Sequence, residues 1–354
     1  MKRALPPLGL ACSLALVVAY GAPPEDYPSE VSRVLATFAP ETGEGAGAAE
    51  RAAAARAFLG GLSDELRAQA ALDYEDGERR VWTNTPPRGP QGGVRLGDLS
   101  EEQLQAACTL LAHALSPEGY TKTRDILLGD DLLLAGGRPR AGFGAENFWL
   151  AVFGEPDAEG AWALQLDGHH LALNLSFHGD ALSMSPSFLG AQPSSYERGG
   201  ERIEPLAEEV AAAFELMGSL TTAQSAQAQL GPRRGRIAAG AGRDGVIPDP
   251  TGLPCSELNE AQRALLLALV SEHIDAMPAP AVRARLAAVE AELDELVFAW
   301  NGPTVDPSDV SYRVQGPSVL IEYACQDLGG DPLDHLHAMV RNPANEYGVA
   351  LGED

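Results

Sequence analysis

Lysine is almost absent from this chain. Only Lys2 and Lys122 occur among 354 residues, so arginine supplies nearly all the positive charge. Positive charge is scarce in any form: 25 Lys and Arg stand against 50 Asp and Glu, a formal net charge of −25 at pH 7. Such a surface repels phosphate backbones and argues against a nucleic-acid partner. Cysteine is sparse too, with four residues and no CxxC pair, which argues against a thiolate zinc site. Beyond the N-terminus, no apolar run is long enough to suggest a stable membrane span.

What is present begins with a leader. Lys2 and Arg3 form a charged start, Leu8 to Val18 is apolar, and Ala19 and Gly21 offer small residues for cleavage. This is a signal-peptide pattern over residues 1–21, and it implies export to a periplasmic or extracellular space. Cys12 does not make a lipoprotein signal. Gly9 lies where a branched apolar residue is wanted, and the apolar run continues past the cysteine. Cys108, Cys255 and Cys325 remain after cleavage. Cys108 falls in a helical apolar pattern, and Cys255 with Cys325 is the best available pair for one disulfide. Residues 22–46 are rich in Pro, Gly and Glu and read as a flexible tether.

From residue 47 onward the chain repeats itself. "LSDELRAQAAL" from Leu62 recurs as "LTTAQSAQAQL" from Leu220. "DLSEEQ" from Asp98 recurs as "ELNEAQ" from Glu257, each opening a helix. Ser63 and Ser100 are N-cap residues, and Gln103 completes a capping box with Ser100. A strand-rich region runs from about Phe148 to Leu189. There "LQLDGHHLALNLSF" matches "YRVQGPSVLIEYAC", and "SPSFLGAQP" lies over "HLHAMVRNP". The expected fold is α+β and internally duplicated. Each half is a helical pair followed by a three-stranded antiparallel meander, related by a pseudo-twofold axis. One domain, 47–354, divides into halves at about 47–195 and 205–354.

The halves differ where reactive side chains lie. Strand parity puts Leu171, Leu173, Leu175 and Phe177 on one face and Ala172, Asn174 and Ser176 on the other. His170 then shares the Asn174 face. His169 shares the leucine face and is expected to be buried and hydrogen-bonded, unless the chain bends at Gly168. In the second half Glu322 takes the place of Asn174. His335 and His337, two apart, face the same way where the first half has Ser185 and Ser187. If those strands pair, Glu322 projects beside both histidines. Two imidazoles and a carboxylate donate lone pairs and suit a divalent metal, with zinc favoured and iron or copper as alternatives. Arg313 or Arg341 could instead pair with Glu322. His170 is the candidate fourth group, as a ligand or as a base toward bound water.

Other motifs carry less. His113 and His273 sit on helices and read as structural. "GAGRDG" from Gly240 has the GxGxxG spacing, but no strand precedes it.

The blocks "GHHLALNLSF", "SPSFLGAQP", "YRVQGPSVLIEY" and "HLHAMVRNPANEYG" resemble those of the domain of unknown function 3500 family. The "W-TNTP" region and "LSEEQLQAACTLLAHALSPEGY" are similar too. The likeness covers roughly residues 47 to 351. It implies a commonly exported protein in which the paired histidines, the Gly-Pro strand with its glutamate, and the HxH recur. Matching positions are His169, His170, Glu322, His335, His337 and Arg341. Asn342 and Glu346 depart from it, since the family usually has Asp there, and this weakens a carboxylate role at position 342. The resemblance brings no activity.

Sequence therefore leads to an exported metal-dependent enzyme with an unknown small-molecule substrate. Glu322, His335, His337 and His170 are the candidate ligands. His170 and Arg341 are candidate catalytic groups, with His169, Asn174 and Arg313 in support. Hydrolysis of an ester, amide or phosphate is favoured. A non-haem metal oxidoreductase, or a small-ligand or surface binding protein with structural histidines, is the alternative.

Overall fold

The structure is a computed structural model that describes residues 29–40, 46–89, 91–135, 142–328 and 330–352. The leader expected over residues 1–21 lies outside the described residues. Helices are α1 Glu30–Thr37, α2 Ala48–Gly60, α3 Asp64–Ala70, α4 Glu101–Ala114 and α5 Pro117–Ala135, then α6 Ala207–Ser219, α7 Thr222–Ala228, α8 Glu260–Ile274 and α9 Ala279–Ala291. Strands are β1 Ala71–Leu72, β2 Val94–Arg95, β3 Phe148–Phe153, β4 Ala161–Gly168, β5 Leu171–His178, β6 Ala181–Ala191, β7 Tyr196–Arg198 and β8 Glu201–Ile203. They continue as β9 Gln229–Gly231, β10 Leu253–Pro254, β11 Val297–Asn301, β12 Ser311–Gln315, β13 Leu320–Cys325 and β14 Leu336–Arg341. Among the described residues no helix is long and apolar enough to cross a membrane.

Capping chemistry starts the helices where the sequence places it. Ser100 Oγ accepts from the Gln103 N–H while the Gln103 side chain returns to the Ser100 N–H. Asn259 and Gln262 do the same for α8. Ser63 caps α3 alone.

One mixed sheet runs β1-β3-β4-β5-β6-β14-β13-β12-β11-β10, with β2 beside β3 and β9 beside β11. Each half contributes a four-stranded meander, β3–β6 or β11–β14, where three strands were expected. The added strand is the first, because "FWLAVF" and "VFAWN" are nearly continuous apolar runs without alternation. The halves meet edge to edge through antiparallel β6 and β14. β1 pairs parallel to β3, as β9 does to β11.

The two faces of the sheet have different chemistry. Leu164, Leu173, Tyr312 and Ile321 join Leu110, Leu127, Leu216 and Leu269 of the helices in one continuous core. Removing a side chain such as Leu173 there would cost about 2–5 kcal/mol. The opposite face carries Gln165, Asp167, Asn174, Arg313, Glu322, His337 and Arg341. Loops from the 73–89 and 232–252 regions and the C-terminal segment cover it. Lys122, the only lysine among the described residues, joins the halves: its Nζ lies 2.6 Å from Glu209 and 3.1 Å from Asp275.

Two expectations need correction. Part of the supposed tether is α1, which buries Val31, Val34 and Leu35 in the core and donates from Ser32 Oγ to Asp131. Its apolar i, i+3, i+4 spacing outweighs the Pro- and Gly-rich surroundings. Cys255 and Cys325 are free and separately buried, as is Cys108, so no disulfide joins them.

Candidate metal centre

The β4–β5 hairpin turns on two residues, His169 and His170, between the paired Gly168 and Leu171. Both histidines therefore lie in the turn and not on a strand. His170 adopts φ 63°, a left-handed conformation that costs a non-glycine residue on the order of 1 kcal/mol. Its surroundings fix that shape. The His170 carbonyl accepts from Gly190 N–H at 2.7 Å, and its own N–H reaches the Asn84 carbonyl at 3.3 Å. A local conformation held against its preference is a reason to look for function.

Three imidazoles meet here. His170 Nε2 lies 2.9 Å from His335 Nε2, which lies 3.0 Å from His337 Nε2. All three residues are buried. Strand β14 brings two of them, because His337 stands opposite Gly190 on β6 and His335 lies just before the strand. Gly190 is what leaves room. A Cβ there would sit 3.1 Å from His337 Cδ2 and 3.2 Å from His170 Cβ.

Proton accounting leaves one contact of this cluster without a hydrogen bond. His335 Nδ1 lies 2.8 Å from the Leu328 carbonyl, which can only accept, so Nδ1 carries the hydrogen. In the neutral ring Nε2 is then a lone pair. That single lone pair faces two other ring nitrogens and can accept from only one of them. Burial holds the imidazoles of His170 and His337 well below the ordinary histidine value, and neighbouring histidines add to this. His335 is lowered by burial as well. Neutral, converging imidazole nitrogens are the form a metal binds. Zinc–nitrogen bonds of about 2.0–2.1 Å in a tetrahedron need nitrogens roughly 3.3 Å apart, so a few tenths of spreading admits the ion. The donor set fits a divalent transition metal.

A second group adjoins it. Asp130, His169 and His170 also place potential ligand atoms within 4.8 Å of one another. Asp130 Oδ1 accepts from His169 Nδ1 at 2.5 Å, and Oδ2 accepts from Gly144 N–H at 2.7 Å. His169 stacks on His170 with ring centroids 3.7 Å apart. It is buried and hydrogen-bonded as expected. Its partner comes from α5, which sequence reasoning missed. The available signal was "LLGDDLLL", two adjacent acids in an apolar helix, since buried carboxylates need partners.

The remaining candidates lie elsewhere. Glu322 shares the histidines' face of the sheet, but the register sets it opposite Met339, and Ala324 is the residue across from His337. Its carboxylate accepts from Ala238 and Ala239 N–H at 2.9 and 2.8 Å. Glu322 is thus not grouped with His335 and His337. Arg341 is a buried clamp for Glu346 at 2.6 Å and Asp244 at 3.1 Å. Arg313 donates to the Asp249 carbonyl. Asn174 bridges Gln165 and the Pro186 carbonyl. Ser187 pairs with Leu173 on the helical side of the sheet, so it does not occupy the place His337 takes. His273 meets Tyr312 Oη, and His113 meets the Thr109 carbonyl, both structural contacts.

A family model described as "Protein of unknown function (DUF3500)" matches residues 44–349. The chain belongs to this family. Residues 44–349 include every histidine of the cluster, together with Asp130 and Gly190. No curated protein and no solved structure matches the chain.

Proposed function

We propose that this chain is an exported metal-dependent enzyme whose single divalent cation is held by His170, His335 and His337. The observation that carries this reading is the convergence of three buried imidazoles whose Nε2 atoms lie 2.9 and 3.0 Å apart in turn, from His170 to His335 to His337. Zinc is favoured, and the reaction favoured is hydrolysis. When bound, such a cation supplies a Lewis acid and lowers the pKa of a coordinated water. The protein's part is orientation. Leu328 fixes the His335 tautomer, Gly190 and Asn84 hold the His170 turn, and Asp130 sets His169 against the ring of His170. A cavity of about 280 Å³ opens onto His169, His170, His335 and His337, so a substrate can reach the centre.

One observation favours a second reading. Asp130, His169 and His170 form a two-histidine, one-carboxylate set, the type used by non-haem iron oxygenases. Elemental analysis of the wild type beside His335→Ala/His337→Ala separates these readings. The first expects about one zinc per chain, lost in the variant. Iron retained by the variant and lost in Asp130→Asn favours the second. Equal metal in the wild type and both variants contradicts both, and a metal-free, folded wild type favours a binding protein.

We also propose that the halves arose by duplication. The matching order of helices, short parallel and antiparallel strands, and four-stranded meander supports this.

A further inference from the structure

Arginine supplies the other basic side chains of residues 29–352, yet the single lysine there is buried between two acids. Lys122 Nζ donates to Glu209 Oε1 at 2.6 Å and lies 3.1 and 3.2 Å from the two Asp275 carboxylate oxygens. The side chains are 10% exposed for Lys122, 1% for Glu209 and 25% for Asp275. They come from α5, from α6 and from the residue after α8, and other bonds fix all three elements. Ser116, just before α5, donates its N–H to the Ala276 carbonyl at 3.0 Å and its hydroxyl to the Asp275 carbonyl at 2.6 Å. Tyr312 Oη donates to the Glu209 carbonyl at 3.1 Å. One cation offsets only one of the two acids. Glu209 is the more buried, and burial pushes its carboxyl up to about 7, so a protonated form is populated at neutral pH. Its Oε2 is sealed from solvent with no hydrogen-bond partner among the described residues.

An amine, a neutral carboxyl and an ionised carboxylate able to take a proton are the parts of an amide-forming reaction. With Nζ 2.6 Å from one carboxyl oxygen, the Glu209 carbon falls in the roughly 3–3.5 Å range of a near-attack geometry. Arginine holds an ion pair as well as lysine does, but its guanidinium is not deprotonated and does not serve as this nucleophile. A buried ion pair also carries a desolvation cost that a neutral amide does not.

We propose that Lys122 and Glu209 condense into an isopeptide bond, with Asp275 as the proton acceptor, which ties α5 of the first half covalently to α6 of the second. Asp275 takes one proton from Nζ, and the neutral amine attacks Glu209 Cδ. The N–C bond forms, a C–O bond breaks, and the hydroxyl leaves as water with a second Nζ proton. The third Nζ hydrogen stays on the amide nitrogen. Asp275, the most exposed of the three, returns its proton to solvent. No oxidant, reductant or metal is needed, so the inference is independent of the histidine cluster.

Mass spectrometry of the purified, folded full chain tests it. The denatured wild type is expected to be lighter by one water than its sequence requires. A tryptic digest is expected to yield one branched peptide carrying both Lys122 and Glu209. Lys122→Arg keeps the charge and is expected to have its full sequence mass. Asp275→Asn leaves the amine and the Glu209 carboxyl in place but removes the proton acceptor, so water loss should slow by about a hundredfold or more. A folded wild type of full sequence mass, with Lys122 and Glu209 recovered in separate linear peptides, overturns the proposal. So does a bond from Lys122 to Asp275 in place of Glu209, or water loss in Asp275→Asn as fast as in the wild type.

Discussion

The tips of two hairpins in the same sheet have opposite characters. Between β4 and β5 the turn is Gly168-His169-His170-Leu171, and between β12 and β13 it is Gly316-Pro317-Ser318-Val319. Both are backed by a helix that follows an earlier helix. At the first tip, Asp130 of α5 accepts from His169. At the second, Arg285 of α9 donates to the Ser318 hydroxyl and carbonyl, and Glu292 accepts from the Ser318 N–H. The second tip is closed by its own helix, with its polar groups paired locally. The first leaves ring nitrogens unpaired until β14 delivers His335 and His337. A hairpin tip becomes a candidate metal centre only when another strand brings the remaining donors.

The largest effect should come from copying the second tip onto the first. His170→Ser removes one of three proposed ligands. Zinc affinity, read by competition with a chelator, should fall by more than the roughly 10–100-fold typical of losing an outer partner. Little change would place the ion elsewhere. Asp130→Asn keeps the shape but weakens the hold on His169, and a loss of about tenfold is expected. An effect as large as that of His170→Ser would favour the aspartate as a direct ligand. Gly190→Ala puts a methyl group 3.1 Å from His337 Cδ2 and the Leu336 carbonyl oxygen and 3.2 Å from His170 Cβ, so the His337 ring, the His170 turn and the β14 backbone must give way by tenths of an ångström. A loss of several-fold in affinity is expected, with a modest fall in thermal stability because the β14 backbone must also shift. The smallest effect belongs to Ser318→Ala at the second tip. It removes one hydrogen bond from Arg285, so about 1 kcal/mol of stability should be lost and zinc binding should not change. A change in zinc binding would mean the tips are coupled.

These expectations show how far the sequence alone reaches. Helix starts at Ser63 and Ser100 were legible because capping is local chemistry, settled within four residues. The face of His337 was legible because strand side chains alternate with a fixed period. What parity does not supply is register. A shift of two residues along β13 preserves the face but replaces Glu322 with Ala324 as the neighbour of His337. The Asp130–His169 contact joins residues 39 apart through a helix packed on a sheet, and no local pattern encodes that distance. Helix α1 was missed because a short amphipathic stretch is stable only once docked, and its docking partners, α4 and α5, lie far along the chain. The left-handed turn at His170 was hidden for a related reason. A histidine there reads as an ordinary strand residue until the Asn84 and Gly190 contacts are known.

Crystals of the protein soaked in zinc, with anomalous diffraction recorded at the zinc edge, address the central claim most directly. A single strong peak about 2.0–2.1 Å from the Nε2 atoms of His170, His335 and His337 is the predicted result. A peak beside Glu322, a peak held by Asp130 and His169 without His335 and His337, or no peak near the cluster would contradict it.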